Sequence, residues 1–224
     1  MSLRRLMMAG ASAPSNVVSL VVASDTAYIT STLVSVGIPS NIGIGNRLIA
    51  VHFGRSTVTT PSGWTLVATT STTGSGVLQI ASIFTKISTV SDPGTTLNVA
   101  QASSVRAALH MLSFSGSLST PSIVASGTLN TPDPLNSNVS PIAGVTPIAT
   151  SRMAVISQSS VMQGGSFSAA VPAGYTQTTP AAVADNRLCV GYKTVAASEN
   201  ISGSFTWEST ITSSSYPSVS VLLG

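Results

Sequence analysis

A chain of 224 residues can bury a sizeable core and suits one large β domain or two small ones. Charged residues make up only 7% of it, against roughly 25% in an average soluble protein, so Ser, Thr, Asn, Gln and backbone must solvate the surface, as suits either a protein packed against neighbours or a Ser/Thr-rich β-sandwich that is simply poor in charge. The net charge of +3 rests largely on Arg4 and Arg5, and no basic stripe with interleaved aromatics occurs, which argues against nucleic acid as a partner. The single cysteine, Cys189, excludes an internal disulfide; with two distant histidines it is a poor basis for a zinc site, and no apolar run is long enough to span a membrane.

Residues 1–15 read as an N-terminal arm. Arg4 and Arg5 ahead of Leu6, Met7 and Met8 superficially resemble a secretory signal, but the apolar stretch is too short and dissolves into Ala, Gly and Ser. The expectation is a chain made in the cytoplasm, with these five residues as a docking arm: Arg toward carboxylates, Leu and Met into a groove.

Strands are expected at 16–22 and 27–34, followed by a long turn region at 37–46. Residues 47–53 form a clear strand. Ile49, Val51 and Phe53 share one face and Leu48, Ala50 and His52 the other, so this strand should be central and covered on both sides. Thr60-Pro61-Ser62-Gly63 fits a type I turn, with Pro second and Gly fourth, and Trp64 opens the strand 64–69. Residues 70–76 read as a polar hairpin loop and 77–84 as the next strand. Asp92-Pro93-Gly94 suits a type II turn, and strands at 96–100 and 107–114 close the unit. A single helical turn fits only at 100–107 or 180–184.

From Leu118 the pattern restarts. Arg152-Met153-Ala154-Val155-Ile156 echoes Arg47-Leu48-Ile49-Ala50-Val51, and Pro172-Ala173-Gly174-Tyr175-Thr176 echoes Pro61-Ser62-Gly63-Trp64-Thr65. Tyr192-Lys193 answers Phe84 and Lys86, and residues 219–224 answer 111–116. These ordered echoes describe a unit of about 105 residues written twice. The fold class is therefore all-β: two tandem, similar, jelly-roll-like β-sandwich units at 16–117 and 118–224, arising from an internal duplication. Trp64, Tyr175 and Trp207 read as structural anchors in the core beside turns.

No catalytic constellation emerges. The nucleophile elbow Gly-x-Ser-x-Gly is missing, both histidines, His52 and His110, fall inside predicted strands as satisfied sheet residues, and the six carboxylates are scattered. Gly43-Ile44-Gly45 precedes a strand, where a dinucleotide loop would follow one. The sequence therefore predicts no enzyme activity, no catalytic residue, no cofactor and no metal.

The strand at 47–53, the Pro-x-Gly-(Trp/Tyr)-Thr turn, Phe84-Thr85-Lys86 and Tyr192-Lys193, Gly94-Thr95-Thr96 and Gly203-Ser204-Phe205-Thr206-Trp207, and a final apolar strand before Gly116 or Gly224 together resemble a family of β-sandwich structural proteins of tailed bacteriophages. These occur as tail-associated, head-fibre or capsid-decoration components. The resemblance spans residues 17–224. It implies a non-enzymatic virion protein that associates with itself and with other virion proteins; with a nearly neutral, Ser/Thr-covered body, a trimer is the expected assembly. A module that binds host-surface glycans is the alternative.

Overall fold

The computed structural model describes residues 17–25, 29–74, 76–116, 121–131, 139–159, 166–178, 182–184, 188–207 and 216–224. Among them there is no helix, and all strand pairing is antiparallel. In the first half the strands are β1 (Val18–Asp25), β2 (Ile29–Gly37), β3 (Arg47–Gly54), β4 (Thr65–Gly74), β5 (Val77–Ile87) and β6 (Thr96–Gly116). In the second they are β7 (Ile123–Thr131), β8 (Val139–Pro141), β9 (Met153–Ser159), β10 (Ser166–Ala170), β11 (Thr176–Gln177), β12 (Ala182–Ala184), β13 (Leu188–Thr194), β14 (Ser204–Trp207) and β15 (Tyr216–Leu223).

The first inner sheet runs β1-β6-β3-β5-β4, and the second runs β7-β15-β9-β13-β11. The order of chain positions across the two sheets is the same. An outer layer lies on each. In the first half it is β2 paired with the N-terminal part of β6; in the second it is the sheet β12-β10-β14-β8.

The two inner sheets face each other. Ile49, Val51 and Phe53 of β3, Ile83 of β5 and Phe114 of β6 share one hydrophobic cluster with Val155 of β9, Val190 of β13 and Val221 of β15. Phe114 meets Tyr192 edge-on, with ring centroids 6.2 Å apart. The opposite face of β3 carries Leu48 and Ala50 into a second cluster, roofed by Val34 and Val36 of β2 and by Leu97 and Val99 of β6. The strict alternation of β3 thus feeds two cores, as its sequence requires; each large apolar side chain fully buried contributes roughly 1.5–3 kcal/mol. Ala154 and Ile156 of β9 do the same in the second half, beneath Phe205 and Trp207. The architecture is a β-sandwich of two inner sheets with an outer layer on each side, and its central core draws on residues from both sides of Gly116.

Strand β6 departs from expectation. The sequence suggests two strands with a possible helical turn between them, whereas residues 96–116 form one strand that turns a corner. Its register against β2 shifts from Ser31↔Val105 to Leu33↔Ala100, so residues 101–104 bulge opposite Thr32. Gln101 pins this corner: its amide nitrogen donates to the carbonyls of Ser31 at 2.8 Å and Val105 at 3.3 Å. Backbone acceptors that a bulge leaves free are satisfied by a side chain, and no helical turn is needed. The second candidate for a helical turn is also extended at Ala182–Ala184, where β12 pairs with β10; Pro180 and Ala181 lie outside the described residues.

Two finer expectations also change. The Thr/Ser stretch after Thr69 stays in β4 as far as Gly74, where Gly74 pairs with Val77, because β-branched threonines favour a pleated edge over a loop. The Pro-x-Gly turns start one residue later than predicted. Trp64 N donates to Pro61 O and Tyr175 N to Pro172 O, both at 3.1 Å, and Gly63 (φ 76) and Gly174 (φ 85) take the positive φ of a third turn position, which belongs to type II. At Asp92-Pro93-Gly94 the expected type II turn is present, with Thr95 N donating to Asp92 O at 3.1 Å and Gly94 at φ 75.

Candidate binding site

The three aromatic anchors lie at different depths. Trp207 is fully buried on β14, stacked on Tyr216 at 5.9 Å, and its indole nitrogen donates to Gln158 Oε1 at 3.0 Å. Gln158 in turn donates to Ser140 Oγ at 2.9 Å and Pro141 O at 3.2 Å, so one polar chain ties inner strand β9 to outer strands β8 and β14. Tyr175 is buried, with Lys193 Nζ 5.1 Å from its ring centroid. Burial, helped by the Glu199 charge, pushes its hydroxyl up to about 12. Trp64 is only half-buried, resting against the first outer core. Arg4, Arg5, Leu6, Met7 and Met8 lie outside the described residues.

An ion pair recurs in both halves. Lys86 binds Asp92 Oδ1 at 2.5 Å, and Lys193 binds Glu199 Oε1 at 2.6 Å. The second carboxylate oxygen caps a turn in each case, accepting from Thr89 N at 2.6 Å or from Ala196 N at 2.8 Å. Burial opposes ionisation of Asp92, but its bonds to Lys86 and Thr89 outweigh it and hold the carboxyl below its ordinary value. Glu199 is held low by Lys193 first and then by the Ala196 amide. Both clips staple the turn that follows the fourth strand of the inner sheet, β5 or β13.

The histidines part company. His110 is engaged through one ring nitrogen: Nε2 lies 2.9 Å from Thr178 Oγ1 across the central core. His52 is expected to be satisfied too, yet it is wholly buried on the outer face of β3, and among the described residues neither ring nitrogen makes a well-formed hydrogen bond. Its neighbour from the outer layer is Gln101, whose amide nitrogen is committed to the β6 corner and whose Oε1 is also unpartnered. Gly54 makes room for this meeting: a Cβ there would lie 2.6 Å from Gln101 Oε1 and 2.8 Å from His52 Cε1. Burial pushes the His52 imidazole down to about 4 against an opposing pull from the Gln101 side chain, so it is neutral at pH 7.

Beside this pair a cleft of about 510 Å³ opens on the outer face of the first inner sheet. Its floor is Thr69 and Ser71 of β4 with Ile80 and Ser82 of β5, and its walls are Leu66 and the segment around Thr57 and Val58. Ser82 lies directly across the strand pair from His52, but its hydroxyl is engaged with Thr69 Oγ1 at 2.9 Å. The Ser and His therefore form no nucleophile–base pair. Among the described residues no ionisable or aromatic side chain lines the cleft. Hydroxyls and aliphatic carbons can hold a neutral, hydrogen-bonding ligand there; they supply no acid, base or nucleophile. Among the described residues no group of three or more His, Cys, Asp or Glu could hold a metal ion. The cleft escaped the sequence reading; its trace is polar residues at inward positions of alternating strands, His52 in β3 and Gln101 in β6.

Comparison with protein-family models, with curated proteins and with solved structures finds no match to this chain.

Proposed function

We propose that this protein is a non-enzymatic structural component of a tailed-phage virion, of the capsid-decoration, head-fibre or tail-associated kind. In this reading it is made in the host cytoplasm, associates with itself as a trimer, and docks on other virion proteins through Arg4, Arg5, Leu6, Met7 and Met8. Its two halves descend from one duplicated unit, a view supported by the common strand order of the inner sheets and by the paired Lys–carboxylate clips.

The observation that carries the assembly reading is an apolar end of the first half. Ser88 joins two turns there, accepting from Gly45 N at 2.9 Å and donating to Gly43 O at 2.6 Å. The turns bring forward Ile44 at 72% exposure and Val90 at 80%, with Ile87 close by. The neighbouring charges, Lys86 and Asp92, neutralise each other. In a chain with 7% charged residues, such a surface suits burial in a symmetric contact. Sedimentation of the full-length protein tests it: a trimer is expected, dissociated by Ile44→Asp with Val90→Asp, and a monomer at high concentration refutes it. Deleting residues 2–13 should preserve melting but abolish co-sedimentation with particles; decoration at full occupancy without them removes the arm from the reading.

The hydroxyl-lined cleft favours a second reading, a module for neutral host glycans. It lacks the aromatic platform sugars commonly stack on. Saturable binding on a glycan array, lost in Ser71→Arg, would establish it.

A further inference from the structure

The second half shows what belongs where the first half has its cleft. Up to the turn aromatic the two halves run in step: Thr65 and Leu66 of β4 pair with Thr85 and Phe84, and Thr176 and Gln177 of β11 pair with Tyr192 and Gly191. They then diverge. Strand β4 stays on β5 as far as Gly74, whereas β11 ends at Gln177 and the next described strand, β12, pairs with β10 in the outer layer. The outer layer of the second half thereby gains a strand that the first half lacks.

The segment around Val58 is the first-half counterpart of β10. Val58 bridges to Gln101 as Ala169 pairs with Trp207. Thr57 O accepts from Ala102 N and Thr59 N donates to Ala100 O, both at 3.0 Å, so these groups face β6. Alternation along an extended chain turns the N–H and C=O of Val58 to the other side, toward the cleft, and neither meets a partner among the described residues. In the second half β10 offers its corresponding side to Ala182, Val183 and Ala184, and the chain just beyond it, at Val171, packs where a Cβ on Gly191 would lie.

We infer that the cleft between the Val58 segment and the outer face of β4 receives a short, uncharged, extended segment of a partner polypeptide, added as a strand beside Val58 in the place that β12 occupies in the second half. A strand brings the main-chain donor and acceptor that Val58 leaves unmet. The lining carries no ionisable group, so a charged segment would be desolvated without compensation and a neutral one would not. Aliphatic side chains of Ala or Val size suit Ile80, Leu66 and Val58. The basis is the comparison of the two halves and stands apart from the virion reading.

The test uses the ¹⁵N-labelled full-length chain and an acetylated, amidated peptide copying residues 178–184. Saturable shifts at the amides of Val58, Thr69, Ser71, Ile80 and Ser82, with slowed exchange at Val58, are expected. The exposed-rim variants Ser71→Arg and Thr57→Arg should each weaken binding at least tenfold while melting as wild type does, as should Val183→Asp in the peptide. Absence of saturable shifts, or binding unaltered in both variants, overturns the inference. So does movement of these resonances on dilution of the free protein, which would make a second copy the occupant, or their response to neutral oligosaccharides but not to peptide, which would make the cleft a glycan site.

Discussion

In the first half His52 on β3 meets Gln101 on β6 beneath a two-strand outer layer; in the second, Gln158 on β9 meets Trp207 on β14 beneath four strands. The positions correspond. His52 and Gln158 each lie five residues into their strand, counting from the pairs Arg47↔Phe114 and Met153↔Leu223. Gln101 and Trp207 are the partners of Val58 and Ala169. Yet Gln158 has all its neighbours hydrogen-bonded, and an indole fills the space above it, whereas the imidazole and one amide oxygen of the first half are buried without partners. One strand plan can therefore carry a closed, satisfied roof and an open, polar one. The half with the open roof is the half with the cleft.

The largest expected effect comes from removing the roof of the second half. Trp207→Ala deletes a fully buried ring and strands Gln158 Oε1, at a cost of about 4 kcal/mol, while Trp64→Ala, which removes a half-buried ring, should cost about half as much. Urea denaturation of both variants measures the difference; equal losses would erase the contrast between the anchors.

Acid should find the first half. The folded His52 imidazole titrates near 4 and the unfolded one near 6.5, so between these values the unfolded chain alone holds the proton. The His52 contribution to stability is then complete above pH 6.5 and is lost as pH falls toward 4, by roughly 3 kcal/mol. His52→Gln, which copies Gln158, should flatten the melting temperature across that window. Superimposable pH profiles for wild type and variant would mean that the ring is not buried neutral.

A smaller effect is expected at Gly54. Gly54→Ala places a methyl against Gln101 Oε1 and the His52 ring, and overpacking of this kind costs about 1–3 kcal/mol. In the His52→Gln background the penalty should shrink, because the longer, flexible side chain can withdraw. A penalty unchanged by that background would place the strain elsewhere.

The ion-pair clips should give the smallest change. Lys86→Met is expected to cost about 1 kcal/mol, and Lys193→Met less, because Glu199 is more exposed than Asp92. Both carboxyls have folded pKa values below the unfolded ones, so their contribution is present above about pH 4 and lost as pH falls through the folded values. Acid titration of the melting temperature below pH 4 checks this, and each Lys variant should blunt it.

Much of the strand layout was legible, but the register in which the two halves match was not. The echo of Arg47 by Arg152 is displaced by one residue in the pairing: Asn46 O accepts from Ser88 N as Arg152 O accepts from Val195 N, so Asn46 is the counterpart of Arg152. Likewise Tyr192 stands where Thr85 does, facing the central core, and Gly191 stands at the place of Phe84. Similar letters match Arg47 to Arg152, whereas a strand counts faces, and one residue of slip exchanges inside for outside. The cleft was hidden for a related reason: its floor and walls come from β4, β5 and the loop at Val58, which no local pattern links.

By itself the sequence determined the all-β class, the two-faced burial of β3 and the turn glycines, because alternation and positive φ are properties of a few neighbouring residues. Only the tertiary structure decided that the two halves share a central core, that β6 turns a corner pinned by Gln101, and that β4 remains in the inner sheet while β12 crosses to the outer one. These are choices among partners far apart in the chain, made by which side chains fill the space between layers. The β propensity of positions 70–74 and 182–184 gives no preference between the two destinations, because it does not encode which neighbouring strand is met.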